Sequence, residues 1–305
     1  MATGGRRRPP PARRRPARGD PRGGEARRRP ARGDARVRQP RRRNPRSELT
    51  ARIVVAIPAL VFAVTIVALG GIWFTLALAA LAVLALGELF DLYRAVEPVR
   101  LAGFIGVVGV IVAAYAGGDL QVLLALAALF PVLFAIALAQ RRSGTLGMAL
   151  TVFGVVWIGI ALAHGVLLRE LPHGDGIVID VLVGTFVGDS GAYLGGRWFG
   201  RKALAPSVSP SKTVEGLAAG IFTAVLATYL AGAYQEWLSP ADALLLGLGI
   251  ALAAPVGDLF ESFVKRGAGT KDTGAFFGPH GGVLDRLDAV LFTTVVGYYI
   301  WLALL

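Results

Sequence analysis

The chain has 305 residues, 54% hydrophobic and only 17% charged, whereas a soluble domain carries about 25% charged residues, so a soluble globular fold is excluded. Forty glycines and no cysteine exclude a disulfide scaffold, a thiolate metal site and cysteine nucleophile chemistry. The net charge of +12 averages two unlike parts: residues 1–50 hold 18 arginines against four acids, while residues 51–305 hold 14 basic and 16 acidic residues.

Residues 1–47 are nearly all Arg, Pro, Gly and Ala, and the nonapeptide ARRRPARGD occurs twice, at Ala12–Asp20 and Ala26–Asp34. Such a segment buries too little surface to offset chain entropy and is expected to be a disordered cytoplasmic tail. It has no apolar stretch of the kind a signal peptide carries. A solvated, topology-fixing tail is favoured over one that binds nucleic acid or anionic lipid, because no aromatic residues are interleaved for base stacking.

The body reads as an all-α, polytopic integral membrane protein. A bilayer span needs about 20 mainly apolar residues. Arg52–Phe90 is too long for one span and breaks at Gly70–Gly71 into two. Leu101–Gly117, Leu120–Gln140, Thr145–Leu168, Ile177–Phe199, Glu215–Trp237, Ala241–Phe260 and Leu284–Leu305 bring the expectation to about nine transmembrane helices. With the Arg tail in the cytoplasm, alternation leaves only Arg169 among the basic residues of the outer loops, the bias the positive-inside rule asks for. The N-terminus is then cytoplasmic and the C-terminus outside, in the cell (inner) membrane. Residues 48–170 carry almost no charge within their spans and read as N-terminal scaffold helices. Residues 171–305 read as the catalytic helices and cytoplasmic loops, because ionisable residues at membrane depth are by default functional.

The chemistry concentrates in residues 258–288, DLFESFVKRGAGTKDTGAFFGPHGGVLDRLD. Asp258, Ser262 and Lys265 follow helical spacing on one face, as do Asp285 and Asp288. If the two helices are neighbours, Asp258, Asp285 and Asp288 form a hard-cation site suited to Mg²⁺ at one cytoplasmic mouth. Lys265, Arg266, Lys271 and Arg286 stand beside them. Carboxylates for metal and cations for anions are what phosphoryl or nucleotidyl transfer needs. The intervening glycines (Gly267, Gly269, Gly274, Gly278, Gly281 and Gly282) would let backbone N–H groups approach phosphate. His280 and Asp272 would order that loop or touch nucleotide. Each feature has a bland alternative: loop cations are expected from topology, glycines are frequent throughout, and a lone His is more often structural. Their concentration in 31 residues has none.

Two patches upstream agree with it. Ser209-Pro-Ser-Lys212-Thr-Val-Glu-Gly216 precedes a span, so Lys212 and Ser209 lie near a helix N-terminus, a ready anion site; a plain helix cap is the alternative. Asp189, with Tyr193 one turn on, is a weaker metal candidate.

Ser262-Phe-Val-Lys265-Arg266-x4-Lys271-Asp272-x-Gly274-x2-Phe277-Gly278-x-His280-Gly281-Gly282-Val283-x-Asp285-Arg286-Leu287-Asp288 resembles the signature of phosphatidate cytidylyltransferases (CDP-diacylglycerol synthases). Asp189-x2-Ala192-Tyr193-x2-Gly196 and the 209–216 patch also look like that family. The resemblance covers about residues 177–290 by motif and 52–305 by hydropathy. It implies that CTP and phosphatidic acid are converted to CDP-diacylglycerol and pyrophosphate, with Mg²⁺, a second metal ion and a homodimer. By residue, the reading of the cluster beside it puts metal on Asp258, Asp285 and Asp288, with Asp189 a weaker candidate. Phosphate would lie on Lys265, Arg266, Lys271, Arg286, Lys212 and Ser209, with Ser262, Asp272 and His280 at the substrates. Three rivals stay open: a CTP-dependent polyprenol kinase, a transporter, and a membrane anchor with a nucleic-acid-binding tail.

Overall fold

The computed structural model describes residues 60–141, 143–274 and 281–305. The Arg-rich tail, the start of the first expected span and His280 lie outside the described residues. The helices fall where uninterrupted apolar runs place them. They are α1 (Leu60–Leu69), α2 (Gly71–Leu92), α3 (Arg100–Gly117), α4 (Asp119–Gln140), α5 (Thr145–Gly154), α6 (Ile160–Glu170), α7 (Gly174–Phe199), α8 (Val214–Gly232), α9 (Pro240–Gly267) and α10 (Leu284–Leu304). A π-helical turn, Val155–Gly159, joins α5 to α6 into one continuous span. Among the described residues eight helices are long and apolar enough to cross a membrane, and α1 is a shorter apolar helix. The expected break at Gly70–Gly71 is present: both glycines adopt positive φ, which a side chain would strain.

One expected span end needs correction, and two details fill out the rest. The seventh expected span stops at Gly232, not Trp237, because Gln235 turns back to hydrogen-bond the buried carboxylate of Asp180 at 3.0 Å and Trp237 stacks on His173. The helix of the eighth span runs past its apolar stretch, as the helical spacing of Asp258, Ser262 and Lys265 implies: α9 continues through Lys265 and Arg266 to Gly267. The body is all-α, as expected, but for one small addition. A short hairpin of β1 (Ala203–Ala205) and β2 (Ser209–Thr213), antiparallel, follows α7. It is fastened by Glu215, which accepts the backbone N–H groups of Arg201 and Lys202 at 3.0 and 3.2 Å.

The helices pack in two ways. In the first, large side chains fill holes. Leu86, Leu89 and Phe90 of α2 are wholly buried, and a Cβ at Gly103 of α3 would meet the ring of Phe90 at 2.6 Å. In the second, α7 and α8 make the most extensive helix pair through small residues. Gly188 faces Ala224, Gly195 faces Ala219, and Gly191 faces Thr223, each too close for a Cβ on the glycine. Small residues let backbones approach where lipid supplies no hydrophobic drive for association. At Gly257 of α9 a Cβ would lie 2.5 Å from the carbonyl oxygen of Asp288 and 3.1 Å from Cα of Ala289. Glycine there brings the α9 and α10 backbones together, with Asp258 on one and Asp288 on the other.

Chain direction gathers the chemistry at one end of the bundle. The C-terminal parts of α2, α7 and α9 meet the N-termini of α8 and α10 there. Tyr93, just after α2, donates to the carbonyl of Val264 at 2.7 Å. The opposite end is closed by Arg169, whose Nε donates to the Val67 carbonyl at 2.8 Å, and by Trp301, whose indole N–H donates to Pro172.

Candidate active site

One α9 face carries Asp258, Glu261 and Lys265, spaced three and four residues apart and so aligned. Carboxylate oxygens of Asp258, Glu261 and Asp288 lie within 4.8 Å of one another. The Glu261 side chain is wholly buried and pairs with Lys265 at 2.5 Å. Lys265 also donates to Asp285 at 2.8 Å. Lys212, at the end of β2, forms an ion pair with Asp258. Asp285 faces inward to its own loop: its Oδ2 accepts the N–H of Gly282 at 2.8 Å and the N–H and hydroxyl of Thr273 at 3.0 and 2.9 Å.

The donor set fits a divalent cation. Asp258, Glu261 and Asp288 are close enough to repel strongly, and Lys265 pairs with Glu261 and Lys212 with Asp258. Glu261 Oε1 is buried and accepts no hydrogen bond among the described residues. An all-oxygen, mostly carboxylate set selects a hard ion such as Mg²⁺ over softer metals.

Asp258, Asp285, Asp288 and Lys212 border a cavity of about 660 Å³ bounded by α7, α8, α9, α10 and β2. Its polar wall holds Asp189, Asp258, Asp285 and Asp288 together with Lys212, Arg197 and Arg286. Its other wall is apolar, including Phe186, Leu217, Ala251, Ala254 and Pro255. Pro255 lacks the N–H that would close the helical bond to the Ala251 carbonyl on this wall. Thr213 caps α8, its hydroxyl accepting the N–H of Gly216 at 3.1 Å, and so fixes Lys212 at that helix N-terminus.

The fold therefore brings together Asp189, Asp258, Asp285, Asp288, Lys212 and Arg286 on one cavity, with Lys265 behind them. It does not bring the others there. Arg266 spends its guanidinium on the carbonyls of Val208 and Thr270, both at 3.2 Å. Ser209 is buried in β2 and Ser262 is half-buried, and neither lines the cavity; Lys271 and Asp272 are exposed away from it. Ser262 yields the inward face to Glu261, one residue earlier. Gly274 and Gly282 serve the protein itself. The Gly282 N–H goes to Asp285, and a Cβ at Gly274 or Gly282 would strike the carboxylate of Glu88.

Three residues went unnoticed in the sequence: Glu261, Arg197 and Glu88. Glu261 was legible, since it stands at i+3 from Asp258 and i−4 from Lys265. Arg197 passed for an ordinary loop cation at the end of a span. Glu88 has no local signal at all.

A family model described as "Cytidylyltransferase family" matches residues 50–304. The chain is 38% identical over 162 residues to the uncharacterised protein YnbB of Escherichia coli, covering 50% of this chain and 54% of that one. It is 34% identical over 150 residues to a phosphatidate cytidylyltransferase of Mycobacterium bovis, 49% of each chain. It is 40% identical over 149 residues to one of Pseudomonas aeruginosa, 48% of this chain and 52% of that one. The chain thus spans about half the length of the curated relatives it matches.

Proposed function

This chain belongs to the cytidylyltransferase family, and we propose that it is a phosphatidate cytidylyltransferase, joining CTP to phosphatidic acid to give CDP-diacylglycerol and pyrophosphate. The observation that carries this reading is a single cavity in which carboxylates, cations and an apolar helix wall meet at one end of a membrane bundle. Phosphatidic acid has a phosphate that needs cations and acyl chains that need an apolar wall. CTP needs cations and a metal. The relatives from M. bovis and P. aeruginosa bear this activity in their names.

The reacting atoms set what the residues must do. A phosphate oxygen of the lipid is already anionic, so it needs no general base. It forms a bond to the α-phosphorus of CTP as the bond to the departing pyrophosphate breaks. Four negatively charged phosphoryl units must then share one pocket. Lys212, Arg197 and Arg286 on the cavity wall neutralise and align them. Asp258 and Asp288, with Glu261 behind them and Asp189 at the cavity edge, would hold Mg²⁺, or two such ions. When bound, a divalent ion withdraws charge from the phosphoryl oxygens. Lys265 holds Glu261 and Asp285 in place. We assign Asp285 to shaping the loop, since Lys265, Thr273 and Gly282 occupy its oxygens. Arg266, with its guanidinium on backbone carbonyls, tethers α9 to the hairpin. We place the mouth on the cytoplasmic face of the inner membrane, where basic residues crowd and soluble CTP is found. The homodimer belongs to the same proposal, on the family resemblance.

The test is pyrophosphate release by the purified full chain in detergent with CTP, phosphatidic acid and Mg²⁺. Release that requires all three together is expected. CDP release instead would overturn the reading in favour of a CTP-dependent lipid kinase.

A further inference from the structure

A glutamate inside an apolar span is costly and calls for partners. Glu88 is such a residue, one turn before the end of α2 in the scaffold half. Its Oε1 accepts the N–H of Val283 at 2.9 Å and its Oε2 the N–H of Leu284, also at 2.9 Å. The hydroxyl of Thr273, which donates to Asp285 at 2.9 Å, lies 3.4 Å from Glu88 Oε2. Val283 and Leu284 are the N-cap and first residue of α10, and that helix has no side-chain cap of its own. The first N–H groups of a helix have no partner within it, and a carboxylate is well placed to satisfy them. Glu88 therefore caps α10 from nearly two hundred residues away in sequence.

The neighbouring glycines fit the same arrangement. A Cβ at Gly274 would lie 2.7 Å from Glu88 Oε1, and one at Gly282 would come closer still to Oε2. Both flanks of the loop are stripped of side chains where they meet this carboxylate. Asp285 collects the next N–H, that of Gly282, together with Thr273 and Lys265. Glu88 and Asp285 thus divide three successive N–H groups, 282 to 284, between them. One turn further along α10 stands Asp288, within 4.8 Å of Asp258 and Glu261.

We propose that Glu88 is a positioning residue for the reaction. It fixes where α10 begins, and so holds Asp288 against Asp258 and Glu261 at the spacing a divalent ion needs. It touches neither substrate nor ion. The scaffold half thereby sets the geometry of the catalytic half through one carboxylate. The kinetic part of this inference rests on the proposed cytidylyl transfer; the structural part does not.

The experiment uses the full chain with Glu88→Gln, which keeps size and one acceptor but points an amide N–H₂ at a backbone N–H. The Mg²⁺ concentration for half-maximal pyrophosphate release should rise about tenfold, as when an outer contact on a metal site is lost. A fall in active fraction alone scales the rate and leaves that concentration unmoved. The second readout needs no activity: amide hydrogen exchange at residues 282–288 should quicken in Glu88→Gln, with exchange in α3 and α4 unchanged. A Mg²⁺ dependence and an exchange pattern both equal to wild type would overturn the proposal. Should Glu88→Gln not fold, Glu88→Asp keeps the charge one methylene short; it should show the same two shifts, smaller, and their absence would overturn the proposal equally. Wild-type protein that releases no pyrophosphate would refute the proposed function, and the exchange measurement would still decide the role of Glu88.

Discussion

The helices before residue 171 and those after it are held together by different means. In the first group the seams are filled: Leu86, Leu89 and Phe90 of α2 are wholly buried, with Gly103 of α3 and Gly154 of α5 as the hollows that receive them. In the second group the α7–α8 seam is glycine against alanine or threonine, and backbones nearly touch. Filled seams leave no room for a substrate. Small-residue seams end in open space where a helix must diverge, and the cavity lies along the edge of this one, with Gly188, Ala192, Gly196, Gly216, Gly220 and Ala224 on its wall. The first region is the more solid and the second the more hollow, and among the described residues the carboxylate cluster lies in the second. Glu88 is where the solid region reaches into the hollow one.

The largest expected effect sharpens that contrast. Asp288→Asn should lower pyrophosphate release by more than about a hundredfold, beyond the range for loss of an outer contact on a metal site, because Asp288 is a proposed direct ligand. Its thermal unfolding temperature in metal-free detergent should stay level or rise. Removing one charge from three carboxylates within 4.8 Å relieves repulsion that the ion pairs of Lys265 with Glu261 and of Lys212 with Asp258 offset only in part. Activity and unfolding temperature falling together would mean that the cluster serves stability and not chemistry.

The next pair is meant to break the comparison. Leu86→Ala in the filled seam opens a hole against Gly154 and Phe90. In lipid the side chain gains little from leaving its surroundings, so the cost is mainly lost packing, about 2 kcal/mol at the low end of core truncations. Activity per folded molecule should not change. Gly195→Val in the small-residue seam forces α7 from α8 at Ala219, an overpacking cost of about 1–3 kcal/mol. There the rate per folded molecule should also fall, since the same two helices wall the cavity. Chemical unfolding and pyrophosphate release on matched folded fractions measure both. If the two variants behave alike, the division into solid and hollow regions has no functional meaning.

Much of this was legible, and where it was not the reasons are physical. The break at Gly70–Gly71 and most helix positions follow from apolar run lengths, because a span must satisfy its own backbone in lipid. The apolar stretch of α9 stops at Phe260 because hydropathy falls at Glu261, Lys265 and Arg266. The helix continues since Lys265 meets Glu261 and Asp285, and Arg266 finds carbonyls in the loops. The hairpin escaped notice because β1 has three residues and its closure depends on Glu215, after the turn. The Asp–Lys–Asp constellation was readable because its members are close in sequence. Glu88 was not, since its partners stand 195 and 196 residues away and a single Glu near the end of a span resembles any boundary residue.

The smallest expected effect tests how finely the hollow region is built. Thr213 joins β2 to α8, and its hydroxyl accepts the Gly216 N–H. Its Oγ1 and Cγ2 also fill the space that a Cβ at Gly200 would take, both 2.9 Å from it. Thr213→Ala removes the cap and should cost about 1 kcal/mol. Because Lys212 is the preceding residue and pairs with Asp258, the loosened helix start should raise KM for CTP more than it lowers kcat. Thr213→Ser keeps the hydroxyl and loses only the methyl, so it should restore KM while leaving part of the stability loss. If Ser and Ala raise KM equally, the methyl against Gly200 positions Lys212 and the cap does not.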